Sequence, residues 1–152
     1  MRVVLDTNVL VSGLLSPYGP PGELVRLVAV GALQVCYDAR ILTEYREVLL
    51  RPLFSFSLVQ VETLLEQIKA GGLTVGARPL SAPLPDPDDE VFLAVALAGP
   101  APHLVTGNTK HFPVKSRQGV QVVSPAEFLS LYRKQMTQDQ GEGGSLPTPS
   151  EG

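Results

Sequence analysis

Residues 1–15 read MRVVLDTNVLVSGLL, and the way this stretch divides sets the reading of the rest of the chain. The β-branched run over residues 2–5 predicts a short strand, and Asp6-Thr7-Asn8 marks its end. The aspartate interrupts the apolar run, and no small-residue cleavage pattern follows, so the stretch is not read as a signal peptide.

Outward from there, strand and helix signals alternate. Residues 22–30 carry Leu24, Leu27 and Val28 at helical spacing and stop at Gly31. Residues 33–37 predict a second strand, followed by a helix over 39–50 that Pro52 closes. A further helix spans 57–70, with Leu58, Val61, Leu65 and Ile68 on one face and Gly71-Gly72 at its end. A brief strand over 73–75 leads into a proline-rich connector that runs to Asp88. Residues 90–98 are apolar nearly all round and therefore predict a buried helix. Strands follow over 103–106 and 120–123. Ser124, Pro125 and Glu127 then open a last helix with a capping box and a proline in its first turn. From Gln135 the sequence QMTQDQGEGGSLPTPSEG is rich in Gly, Pro and Ser and predicts a disordered tail. The expectation is one domain over residues 1–134 and a tail over 135–152. Strands separated by helices pair in parallel through right-handed crossovers. That predicts an α/β fold, a three-layer α/β/α sandwich on a central, mainly parallel sheet of four to five strands.

Composition narrows the function classes. Hydrophobic residues make up 44% of the 152, enough for a packed core. No apolar run approaches the roughly 18 residues of a membrane span. Cys36 is the single cysteine, so no internal disulfide forms, and its apolar setting predicts a small core residue. A cytoplasmic protein is expected. The net charge of −3 argues at first against a nucleic-acid partner. Three of the 15 acids (Asp139, Glu142 and Glu151) fall in the tail, however, leaving 12 acids against 12 bases in the body.

Ligands of open α/β sheets bind outside the carboxyl ends of the strands. Asp6-Thr7-Asn8, Asp38, and Thr106-Gly107-Asn108 fall at such ends, and Asp86-Pro87-Asp88-Asp89 opens the apolar helix. Asp38 directly precedes its helix and takes the N-cap role. In that helix Ile41, Leu42, Tyr45, Val48 and Leu49 form one apolar arc at about 100° per residue. Glu44 falls on the edge of the arc and Glu47 nearly opposite its centre. An acid at the margin of a core stripe needs a partner or a cation, so Glu44 is the candidate and Glu47 the solvated residue. Asp89, directly before the apolar helix, can cap that helix and still direct a carboxylate oxygen into the cleft, whereas Asp86 and Asp88 are less constrained and expected outside it. Asp6, Glu44 and Asp89 together would repel one another and need a cation. Oxygen donors alone select Mg²⁺ or Mn²⁺. No His or Cys group has zinc spacing, since His103 and His111 are eight apart and Cys36 is alone. His103 is expected to be structural or exposed. Lys110, Lys115 and Arg117 follow Asn108 on one loop, which is either simply solvated or an edge that grips RNA phosphates.

The pieces VVLDTNVLVSGLL, ILTEYREVLL, DPDDEVFLAVALAG, HLVTGNTKHFP and VVSPAEFL, in that order over residues 1 to about 131, resemble a PIN domain close to the VapC-like toxin branch. The resemblance implies a parallel-sheet α/β/α fold, a Mg²⁺ or Mn²⁺ site, endonucleolytic cleavage of single-stranded RNA, frequent homodimerisation and, for a toxin, a cognate antitoxin over the acidic cleft. By position it places the family's acids on Asp6, Glu44 and Asp89, and supporting polar residues on Asn8 and Thr106. Where the family commonly has another aspartate after the fourth strand, this sequence has Asn108, an amide that can ligate or hold a water but adds no charge. A site of three acids and an amide is expected, and a catalytically weak or inactive module that binds RNA or a protein is the alternative. An aspartyl-phosphate phosphatase would need an acid where Asn8 stands, and a P-loop is excluded by the absence of its glycine-lysine motif.

Overall fold

β1 (Arg2–Leu5) lies at the middle of a five-stranded sheet and is buried from its second residue onward. The computed structural model describes residues 1–144, with side chains to residue 139. The other strands are β2 (Gln34–Tyr37), β3 (Leu73–Thr74), β4 (His103–Val105) and β5 (Gln121–Val123). Their order is β3-β2-β1-β4-β5 and every pairing is parallel. The sheet expected to be mainly parallel is therefore wholly so. The chain winds outward from β1 to β3, then returns to the other side of β1 for β4. The order of the strands reverses between β1 and β4, and such a reversal leaves a crevice at their carboxyl ends.

Helices flank the sheet: α1 (Thr7–Leu15), α2 (Pro20–Ala29), α3 (Ala39–Leu49), α4 (Leu58–Gly71), α5 (Glu90–Ala98) and α6 (Pro125–Gly144). α1 has no counterpart in the expected elements. Its apolar residues continue those of β1 without a break, so the change from strand to helix lacks a periodicity signal. Asp6, in extended conformation, makes the change, and Val9, Leu10 and Gly13 then face the interior. Gly13 lets α2 approach, because a Cβ there would lie 2.7 Å from the Pro21 carbonyl oxygen. α5 packs on β1, β2 and β4, as its apolar sequence predicts. Leu97 is nonetheless 39% exposed.

The capping box of α6 forms in both directions, with Glu127 N donating to Ser124 Oγ and Ser124 N to Glu127 Oε1. α6 runs ten residues past Lys134, where a disordered tail is expected from the sequence. Gln, Met and Asp extend a helix already nucleated more readily than they start one. The last part of the expected tail, residues 145–152, lies outside the described residues. Cys36 is buried in the core. His103 is buried too, edge-on to Phe128 with ring centroids 5.5 Å apart. Among the described residues no helix is long and apolar enough to cross a membrane.

Tyr45 ties α3 to the end of β1. Its ring is fully buried beside Phe92, and its hydroxyl donates to the Leu5 carbonyl at 2.6 Å. Removing that hydroxyl strands a buried carbonyl, so Tyr45→Phe is expected to cost about 1–3 kcal/mol of stability. Urea unfolding at constant slope measures the loss; an unchanged midpoint would assign the hydroxyl no structural role.

Candidate active site

Parallel pairing in register brings two distant segments together. Leu5 lies opposite Val105, so the next residues, Asp6 and Thr106, emerge side by side at the crevice. Asp6 N donates to the Val105 carbonyl at 2.9 Å and continues the ladder by one step. Asp6 occupies the N-cap position of α1, but its side chain makes no capping bond. Instead, its Oδ2 accepts from the hydroxyl of fully buried Thr106 at 2.8 Å and, more weakly, from Asn8 Nδ2 at 3.4 Å. Asn8 Oδ1 accepts from Gly107 N at 2.9 Å, which fastens the loop after β4 to the start of α1. Thr106 and Asn8 thus both donate to the Asp6 carboxylate. Burial pushes the Asp6 carboxyl above its ordinary range, and the Thr106 hydrogen bond only partly opposes this.

Asp89 arrives from the other side, on a 3₁₀ turn (Pro87–Asp89) that opens α5. It is buried, caps nothing with its side chain, and its Oδ2 has no hydrogen-bond partner. His111 Nδ1 stands 3.4 Å from that oxygen, close enough for charge attraction but outside hydrogen-bond geometry. Burial, followed by the charge of Asp6, raises the Asp89 carboxyl to about 6, against the pull of His111.

α3 presents Glu44 as its helical phase predicts: Ile41, Tyr45, Val48 and Leu49 are buried, Glu44 is half-buried and Glu47 exposed. Asp38 caps this helix through Ile41 N at 3.0 Å. Glu44 Oε2 meets the Thr7 hydroxyl at 3.5 Å, and its side chain opens onto a cleft of about 360 Å³ that Asp88 and Arg40 also line. Burial first, then Asp88, pushes the Glu44 carboxyl up, and Asp6 adds to the shift.

The three acids therefore share one electrostatic site, but they do not close into a ready-made ligand set. Among the described residues no three His, Cys, Asp or Glu side chains converge as a metal cluster. Asp6 and Asp89 are the buried pair, and Glu44 stands apart, bonded to Thr7. Asn108 does not join them. It is exposed, and its Oδ1 accepts from Lys110 N at 3.2 Å to cap the turn Thr109–His111. Arg117 is likewise committed, donating to the carbonyls of Phe112 and Thr109 at 2.7 and 3.2 Å. Lys110 and Lys115 are exposed beside it.

Two residues of the site are missing from the sequence reading. Asp88, judged less constrained, lines the cleft with Glu44. His111, weighed there only for zinc spacing, faces Asp89. Its place three residues after Asn108, on a loop leaving a site-bearing strand, was the available signal.

A family model described as a PIN domain matches residues 2–110, from β1 into the loop after β4, and stops short of β5 and α6. Comparison with curated proteins finds no match, and neither does comparison with solved structures. PIN domains are in general metal-dependent nucleases that use divalent ions. With the match spanning most of its length and a parallel sheet bearing acids at the reversal of strand order, this chain belongs to the PIN-domain family.

Proposed function

We propose that the protein is a Mg²⁺- or Mn²⁺-dependent endoribonuclease that cleaves single-stranded RNA, of the VapC-like toxin kind. The observation that carries this reading is Asp89: a buried carboxylate with an unpartnered oxygen, set beside buried Asp6. Such a group is costly to keep charged without a compensating cation. The donor set fits a hard dication, because Mg²⁺ commonly takes only one or two protein carboxylates along with water and substrate phosphate. Asp6 and Asp89 would hold it, with Glu44 at the margin.

When bound, the cation would offset charge on the phosphodiester and make water more acidic. The chain's own residues do the rest. Thr106 and Asn8 keep the Asp6 carboxylate from turning away. Glu44, fastened to Thr7, orients the attacking water across the cleft. His111 lends positive charge beside Asp89 when protonated. Lys110 and Lys115 steer the RNA backbone electrostatically. Reversing both charges is expected to weaken RNA binding roughly tenfold and flatten its salt dependence, read by fluorescence anisotropy; unchanged binding would remove them from the RNA path.

As a toxin, the protein would act in the cytoplasm, dimerise, and be covered by a cognate antitoxin. Exposed Leu53, Leu58 and Val59 around the start of α4 offer apolar surface for one of these contacts. A second reading, a catalytically weak module that binds RNA or protein, is favoured by one observation: Asn108 is turned to capping a loop and adds no acid to the cleft. The two separate in one experiment. Incubating a mixed single-stranded RNA pool with Mn²⁺ is expected to give cleavage that Asp6→Asn abolishes. Cleavage without metal would overturn the mechanism, and RNA binding without cleavage would establish the second reading.

A further inference from the structure

α5 is core on most of its circumference, yet Val91, Ala94, Leu97 and Ala98 form one stripe at helical spacing, and Leu97 and Ala98 on it are exposed. The proline-rich connector passes along this stripe. Between them runs a cleft of about 480 Å³, lined by Pro79, Leu80, Ala94 and Leu97, with Arg78, Ser81 and Gln118 as its polar groups. Pro79, Leu80 and Ala94 also line the smaller cleft onto which Glu44 and Asp88 open. The two clefts therefore share a wall, and together their lining follows α5 from Glu90 to Ala98, about 12 Å at the helical rise. Glu90 holds the connector against the helix, its Oε2 accepting from Leu84 N at 3.0 Å.

We infer that this cleft receives a nucleotide of the RNA strand that flanks the scissile phosphodiester, with Arg78 at its rim binding the backbone phosphate or stacking on the base. The inference rests on the ribonuclease reading above and extends it from the acids to the path of the substrate. Three features of the cleft select such an occupant. Its volume lies within the roughly 300–1,000 Å³ usual for ligand sites, and its apolar floor with a few polar groups suits a flat base with a polar edge. Arg78 is exposed and, among the described residues, has no ion-pair partner, whereas Arg40 in the adjoining cleft is paired with Asp38 at 2.7 Å. Arginine matches both phosphate and base faces. Finally, the cleft shares Pro79, Leu80 and Ala94 with the one that Glu44 and Asp88 line, so it adjoins the acidic site on the Glu44 side.

The test compares a hexanucleotide with a dinucleotide too short to reach beyond the acids, both cleaved in Mn²⁺. Arg78→Ala is expected to raise KM for the hexanucleotide roughly tenfold, with kcat within about twofold and dinucleotide cleavage unchanged. Arg78→Lys should recover part of the loss if charge dominates and little if the planar guanidinium does. Gly76→Phe fills the cleft by an independent route, because a Cβ at Gly76 meets nothing within 4 Å, and is expected to raise the same KM. Unchanged hexanucleotide KM in both Arg78→Ala and Gly76→Phe, with wild-type cleavage intact, overturns the cleft as an RNA subsite and leaves the ribonuclease reading standing. Equal losses on both substrates would place Arg78 at the acids rather than on a flanking nucleotide, and also overturn it. A wild-type protein that neither cleaves nor binds the hexanucleotide defeats the ribonuclease reading itself.

Discussion

With Asp6 replaced by asparagine, Mn²⁺-dependent RNA cleavage is expected to fall by roughly a thousandfold or more, while the fold stays intact. The two halves of this expectation have different causes. Asparagine has nearly the shape of aspartate, and its amide oxygen still accepts the hydrogen bond that Thr106 gives at 2.8 Å. Packing at the end of β1 is therefore preserved. What disappears is a negative charge at a position 6% exposed, where weak solvent screening makes charge count most. The variant should lose Mn²⁺ binding by calorimetry and lose cleavage in parallel. Circular dichroism should be unchanged, and the thermal midpoint no lower, since removing a buried charge relieves its desolvation. Full activity in Asp6→Asn would mean that the buried pair is not the metal anchor.

Asp89→Asn is expected to stabilise the metal-free protein and to disable it. The sign follows from the raised carboxyl, at about 6 in the folded chain against an ordinary 3.8. The folded state holds this proton more tightly than the unfolded state. Asp89 therefore does not weaken the fold below about pH 4; its penalty builds up between about pH 4 and 6 and is complete above that. At pH 7.5 a shift of this size amounts to about 2–3 kcal/mol. Asparagine removes it, less whatever its own amide loses by lacking partners. Thermal unfolding without metal should show the variant ahead of wild type by several degrees at pH 7.5 and by little below about pH 4. Mn²⁺ should reverse the order at pH 7.5, since about 4.1 kcal/mol comes from a cation at a thousand times its dissociation constant. That gain belongs to wild type alone, and it should fade as pH falls below about 6 and Asp89 takes up its proton. A variant less stable than wild type at pH 7.5 in the absence of metal would show Asp89 to be a structural residue.

Such a residue, destabilising until it has a ligand, is what a site built for a cation looks like in a sequence whose other layers are consistent. Parts of the site are legible in the sequence alone. Glu44 could be chosen over Glu47 because helical phase is a local property: one residue's angle decides which faces the core. Asp38 as a cap, the capping box at Ser124, and the buried character of α5 are equally local, and the structure agrees with each. The alternation of strands and helices carried the parallel α/β class, since parallel neighbours require crossovers.

The rest depended on which strands are neighbours. Asp6 and Thr106 are a hundred residues apart, and only the parallel register of β1 with β4 sets one beside the other. The same register fixes the reversal of strand order, and with it the crevice. α1 stayed hidden because apolar residues in a helix directly after an apolar strand leave no change of pattern to read. Asn108 and Arg117 carry the right chemistry for a site, but their side chains are spent on the loop's own backbone. Residue type determined what each group can do; the fold decided which groups had partners already, and which, like the buried Asp89 oxygen, were left without one.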